Sequence, residues 1–140
     1  MTAKDMASSL FNQAKFILKE AENCYAEGAW NLVVRRCQEV TGLALKSALI
    51  WAGIQPPRLH DVGSVLLNHA GSFPQEFAKH IPQMASISAS LAATRGLSFY
   101  GDEKRGIPPE SLFNASDAEE AIRKAKFVLE QCEKLFGGGE

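Results

Sequence analysis

Apolar residues recur every three or four positions along most of this chain, and nowhere do they alternate with period two over a useful length. That rhythm dictates helices, because an α-helix returns to the same face about every 3.6 residues while a half-buried strand does so every second one. Leu10, Ala14, Ile17, Ala21 and Cys24 form the first stripe. This helix is expected to start between Thr2 and Asp5 and to stop at Gly28, a good C-terminal signal. A second segment runs from about Ala29 to Ala52, with Trp30, Val33, Cys37, Val40, Ala44 and Ala48 on one stripe and Leu32, Leu43 and Ile50 on the other side. A helix apolar on more than one face is a central or interface helix. Gly53 ends it, and Gln55 to Pro57 prevent resumption.

Asp61 is a candidate N-cap for a short helix ending near Gly71. A helical turn is expected over Pro74 to Lys79. Pro82 suits the first turn of a further helix reaching about Tyr100, with Met84, Ile87, Leu91, Arg95 and Ser98 as its stripe. Gly101 to Glu110 read as a loop. A last helix opens at "SDAE", where Ser116 and Glu119 have capping-box spacing. Its stripe is Ala118, Ala121 or Ile122, Ala125, Leu129, Cys132 and Leu135. The sum is an all-α protein: an antiparallel up-down four-helix bundle with one additional short helix, over residues 1–136, with 137–140 as a flexible tail.

The composition limits the partners. The 140 residues include 15 basic and 16 acidic side chains, a formal net charge of −1. That balance argues against a strong nonspecific grip on nucleic acid, and no DNA-specific signal is present. A local basic patch stays open. Cys24, Cys37 and Cys132 are far apart, with no CxxC pair, and read as small core residues of a reducing compartment. The opening "MTAKDMASSLF" has no long apolar run, and the stretch from Ala44 to Ile54 is too short to span a bilayer. A cytoplasmic protein is expected, without membrane, metal or cofactor.

Arg95 is the anomaly. Met84 and Arg95 are eleven residues apart; at about 100° per residue they point the same way along a continuous helix. A permanent charge therefore stands where the stripe wants an apolar residue, and a guanidinium facing a packed surface must be paired. Three roles follow: an ion pair with Asp102, Glu103 or Glu39, a dimer contact, or recognition of a phosphate by arginine's planar fork.

Three stretches, "RRCQEVTGLALKSALIWAGIQPPRLHDVG", "ATRGLSFYGDE" and "SDAEEAIRKAKFVLEQC", resemble the HEPN domain (higher eukaryotes and prokaryotes nucleotide-binding). The resemblance covers nearly the whole chain. It implies a helical bundle that forms homodimers through its central helices. Many members are metal-independent ribonucleases with an arginine followed, after four to six residues, by a histidine; others partner minimal nucleotidyltransferases, often in toxin–antitoxin pairs. Arg95 matches the motif arginine. Tyr100, Gly101 and Asp102 stand where the histidine would be, and no histidine follows Arg95 in the chain. Tyrosine is a poor base near neutral pH, so the usual nuclease chemistry lacks its proton carrier. Gly42 and Gly96 also stand where many such sequences carry glutamate.

His60 and Asp61 form an isolated His-Asp step, read as a loop histidine beside a capping aspartate; His69 and His80 lack ligand-like spacing. On the second helix Arg35, Glu39, Gly42 and Lys46 share one side, and Arg35 with Glu39 has ion-pair spacing. A shared polar groove would group Arg35, Lys46 and Arg95 around a phosphate. The segment Tyr100, Gly101, Asp102 and Glu103 is the first choice for a functional surface. The resulting expectation is a homodimeric binding or regulatory module, paired with a nucleotidyltransferase in an RNA- or nucleotide-related system. Its alternatives are a divergent ribonuclease using Arg95 with Asp102 or His60, and a module that binds a free nucleotide directly.

Overall fold

The computed structural model describes residues 2–138, and among them the chain is all-helical. The helices are α1 (Ala3–Ala26), α2 (Trp30–Trp51), α3 (Gly63–Asn68), α4 (Gln75–Ala78), α5 (Ile81–Ala93), α6 (Arg95–Tyr100) and α7 (Ala115–Gly138), with 3₁₀ turns at Ala70–Ser72 and Pro109–Ser111.

α2 is the central element, packed against α1, α5, α6 and α7. Its two-faced apolar sequence required this. Val33, Cys37, Val40, Ala44, Leu45, Ala48 and Leu49 are all sealed from solvent. α1 lies along α2 through alanines seven residues apart, Ala7, Ala14 and Ala21, which carry no bulk to hold the backbones away. α7 closes the other side with Ala118, Ala121, Ala125, Val128 and Cys132. Burial pushes the Cys37 thiol up to about 12 and raises that of Cys132 further, so both behave as small hydrophobes. No helix among the described residues is long and apolar enough to cross a membrane.

The first helix begins as expected, with Thr2 and Asp5 bonding each other's backbone N–H in a capping box. The last does not use Ser116 and Glu119. Its cap is two residues earlier: Asn114 Oδ1 accepts from Asp117 N, and Asp117 Oδ2 accepts from Asn114 N, each at 2.9 Å. Glu119 instead accepts the Tyr25 hydroxyl at 2.6 Å, tying α7 to α1. The expected tail begins as helix through Gly138, and residues 139–140 lie outside the described residues.

The helix expected from Pro82 to Tyr100 is broken. α5 ends at Ala93, Thr94 leaves the helical region at φ −97° and ψ 2°, and α6 restarts at Arg95. The Thr94 side chain helps the break by bonding Leu91 O at 3.0 Å, an alternative to the helical ladder. The continuous register that aligned Arg95 with Met84 therefore does not hold. Met84 is buried in the core, while Arg95 is half-buried and reaches α2.

Candidate functional site

One face of α2 is polar. Asn31, Arg35, Gln38, Gly42 and Lys46 follow one another at helical spacing. The upper part of this stripe holds α6 in place. Asn31 Nδ2 donates to Ser98 O at 3.0 Å, and Arg35 Nη1 donates to Arg95 O at 2.7 Å. The Arg35 guanidinium also lies over the Phe99 ring, 3.9 Å from its centroid. Such a stack contributes about 0.5–2 kcal/mol, the more so where water is excluded. Arg35 is therefore chiefly a positioning residue, and the expected Arg35–Glu39 ion pair does not form. Glu39 pairs with Arg36 at 2.7 Å, because Arg35 turns inward to the α6 backbone.

The lower part of the stripe lines a shallow hollow of about 220 Å³, together with Ile17, Glu39, Leu43, His60 and Arg95. Arg95 enters from the first residue of α6, Lys46 from α2, and His60 from the loop between α2 and α3. The loop passes beside Gly42: a Cβ there would stand 4.0 Å from the His60 carbonyl oxygen and 3.7 Å from Gln38 Nε2, both ordinary contacts. Gly42 is buried and not a surface position.

Arg95 is paired with an amide and not with a carboxylate. Its Nη1 donates to Gln38 Oε1 at 2.5 Å, whereas Asp102 accepts from Arg105 N and Glu39 pairs with Arg36. Arginine has no acceptor, so the Gln38 oxygen must face it and the NH₂ group is left on the side of Gly42 and the hollow. Gln38 is only 4% exposed. A buried amide with its donor end open to a hollow lined by Arg95, Lys46 and His60 suits an anion. Glu39, the one carboxylate in the lining, is already neutralised by Arg36.

The electrostatics agree. Partial burial, followed by the charges of Arg95, Lys46 and Arg35, holds the His60 imidazole below the usual histidine range. Burial and then the like charge of Arg95 lower the Arg35 guanidinium pKa as well. Positive charges that depress one another in this way are relieved when an anion binds.

The structure groups Arg95, Lys46 and His60, with Arg35 behind them, and leaves Tyr100, Gly101, Asp102 and Glu103 out of the hollow. Tyr100 is 67% exposed on the outer side of α6. Asp102 closes a tight loop: its N–H and C=O bond Ile107 O and N, and its carboxylate accepts from Arg105 N. Gly101 is a backbone requirement. It has φ +71°, and a Cβ would stand 2.2 Å from Ile107 O. Asp61 caps more than one group, accepting from Gly63 N at 2.9 Å and from the Ser88 hydroxyl at 2.8 Å, so it is spent on α3 and α5. Gln38 was missed as a site residue; its place four before Gly42 and eight before Lys46 was the available signal.

No curated protein and no solved structure matches the chain. The family model described as the HEPN domain matches residues 7–135. With that match spanning nearly all of the sequence, the chain belongs to the HEPN domain family.

Proposed function

We propose that this protein is a binding and regulatory HEPN module whose hollow between α2, the His60 loop and α6 receives a phosphate of RNA or of a nucleotide. In this reading its long helices take the antiparallel up-down order, two copies associate, and the pair works beside a minimal nucleotidyltransferase in a toxin–antitoxin-like system. Family membership supports the coarse part, a nucleotide- or RNA-related role. One observation carries the finer part: Arg95, Lys46, His60 and the open amide of Gln38 line a single hollow. Arginine supplies a planar pair of donors, lysine a mobile point charge, and the buried amide a fixed donor. Affinity purification with tagged wild-type and Arg95→Ala protein tests the reading. Wild type should retain RNA or a nucleotidyltransferase that Arg95→Ala releases; equal retention by both would remove Arg95 from the site.

His60 supports a second reading, a divergent metal-independent ribonuclease. It stands in the same hollow as Arg95, although it precedes it in sequence by 35 positions (95 minus 60). Its lowered pKa keeps the imidazole neutral near pH 7, able to take a proton from a 2′-hydroxyl while Arg95 and Lys46 stabilise charge on the phosphate. Asp102, the other candidate base, is held in its loop away from the hollow. Metal-free RNA cleavage by wild type, lost in His60→Asn, would establish this reading; intact RNA from about pH 5 to 9 would end it.

A further inference from the structure

A second hollow, of about 410 Å³, lies between α4 and the last turns of α7. It shares no lining residue with the Arg95 hollow. Its floor is apolar: Phe77 and Leu135 are buried, and the Phe77 ring is fixed against Phe73 with centroids 4.8 Å apart. Lys79, His80 and Lys134 stand at its rim, with Glu76 and Pro74.

Gln131 makes this more than a crevice. It is 5% exposed and lines the hollow. None of the side-chain hydrogen bonds found among the described residues engages its amide. Nor are its polar atoms sealed, since the buried side-chain atoms without a partner among the described residues are Arg35 Nε and Thr41 Oγ1. The amide of a nearly buried glutamine therefore opens to the hollow, where it offers an acceptor and two donors. A ligand edge that pairs both ends of this amide takes the place of solvent there and gains the net hydrogen-bond free energy.

We propose that this hollow binds a small flat heterocycle carrying one anionic group. The volume falls within the usual range for small-molecule sites, about 300–1,000 Å³. A flat ring fits the floor formed by Phe77 and Leu135. An adjacent N–H and C=O on the ring edge match the Gln131 oxygen and NH₂. The anionic group reaches Lys79 and Lys134, whose present partners are exposed: Glu76 at 2.9 Å and Glu130 at 3.2 Å. Exposed pairs of this kind contribute little and exchange readily for a ligand. The His80 ring, held edge-on to Phe127 at 5.5 Å, walls one side. The proposal stands apart from the reading of the Arg95 hollow and does not depend on it.

The test is an NMR titration of the full chain, reading the Gln131 side-chain NH₂ resonances. The probes are orotate and pterin-6-carboxylate, with uracil and pterin as neutral counterparts and benzoate as an anion lacking the donor–acceptor edge. At least one of the two anionic heterocycles should move the Gln131 resonances saturably. Its neutral counterpart and benzoate should each bind about tenfold more weakly or worse. Gln131→Met should weaken binding about tenfold, and Lys134→Ala, an exposed change that leaves the core untouched, about threefold. No movement with either probe at about 10 mM, well beyond a weak millimolar Kd, overturns the proposal. So does benzoate binding as tightly as the heterocycle, or undiminished binding in Lys134→Ala, which decides the matter even where Gln131→Met does not fold.

Discussion

The Arg95 guanidinium donates to the side-chain oxygen of Gln38, joining the first residue of α6 to a helix face 57 residues earlier in the chain. Arg35, one turn before Gln38, holds the Arg95 carbonyl at 2.7 Å. The arginine is thus fixed at both ends, by its backbone and by its head group. A guanidinium held in this way has surrendered its rotamer entropy before any ligand arrives, which is what a preorganised anion site requires.

Gln38 separates structural from functional effects. Gln38→Leu removes the acceptor and should cost about 1–3 kcal/mol in urea unfolding, because the Arg95 donor loses its partner. Gln38→Glu replaces the amide by a carboxylate that still accepts from Arg95. Stability should then be kept, while RNA affinity measured by anisotropy falls about tenfold, because the new charge occupies the place of the phosphate. Unchanged affinity in Gln38→Glu would contradict the placement of the anion.

His60 ties binding to pH. In the free protein partial burial, followed by the charges of Arg95, Lys46 and Arg35, keeps its pKa low; Glu39, the carboxylate in the lining, is paired with Arg36. A bound phosphate offsets those cations and raises it, so binding takes up a proton. Affinity should rise severalfold between about pH 7.5 and 5.5, and His60→Asn should flatten the trend. Folding responds in the opposite sense. A histidine with a lowered folded pKa supports the native state above about pH 6.5 and loses that contribution as pH falls through the folded value. Urea midpoints of wild type and His60→Asn should therefore diverge on acidification.

Gly101, which follows α6, and Gly53, which follows α2, make a matched pair. Both have positive φ, +71° and +81°. An alanine Cβ at 53 meets nothing within 4 Å, whereas at 101 it would overlap the Ile107 carbonyl. Gly53→Ala should cost about 1 kcal/mol from backbone strain alone. Gly101→Ala should cost clearly more, about 2–4 kcal/mol, and loosen the Asp102–Ile107 loop. Equal losses in urea unfolding would mean that the loop gives way at no cost.

The helix cap of α7 is testable separately. Asn114→Ala should destabilise by about 1 kcal/mol, and Ser116→Ala by no more than about 0.5 kcal/mol, because the reciprocal bonds belong to Asn114 and Asp117. Thermal unfolding of the two variants would distinguish the caps.

The helices were legible because their apolar spacing and their glycine and proline stops are local properties. α1 and α2 end where Gly28 and Gly53 enter positive φ. The break at Thr94 was not legible: nothing in the sequence outweighs a stripe that runs on through Arg95, and the break exists because α2 offers Asn31 and Arg35 to the α6 backbone. The same long-range contact hid the partner of Arg95. Reading outward from an arginine, carboxylates in the next loop are the natural choice, yet Asp102 is consumed by its own turn. The grouping of Lys46 with Arg95 was within reach from helical spacing and the resemblance. The arrival of His60 depended on the path of a loop after Gly53, which no periodicity specifies. The capping box misread at Ser116 shows how two registers of polar residues can compete within one short stretch.

The most direct measurement is fluorescence anisotropy of a labelled single-stranded RNA against wild type, Arg95→Ala and Lys46→Ala across a salt series. Each substitution should weaken binding about tenfold and reduce the salt slope by about one, as expected when a single phosphate contact is lost. Wild-type affinity and slope retained in both variants would contradict the account, leaving Arg95 as a structural strut between α6 and Gln38.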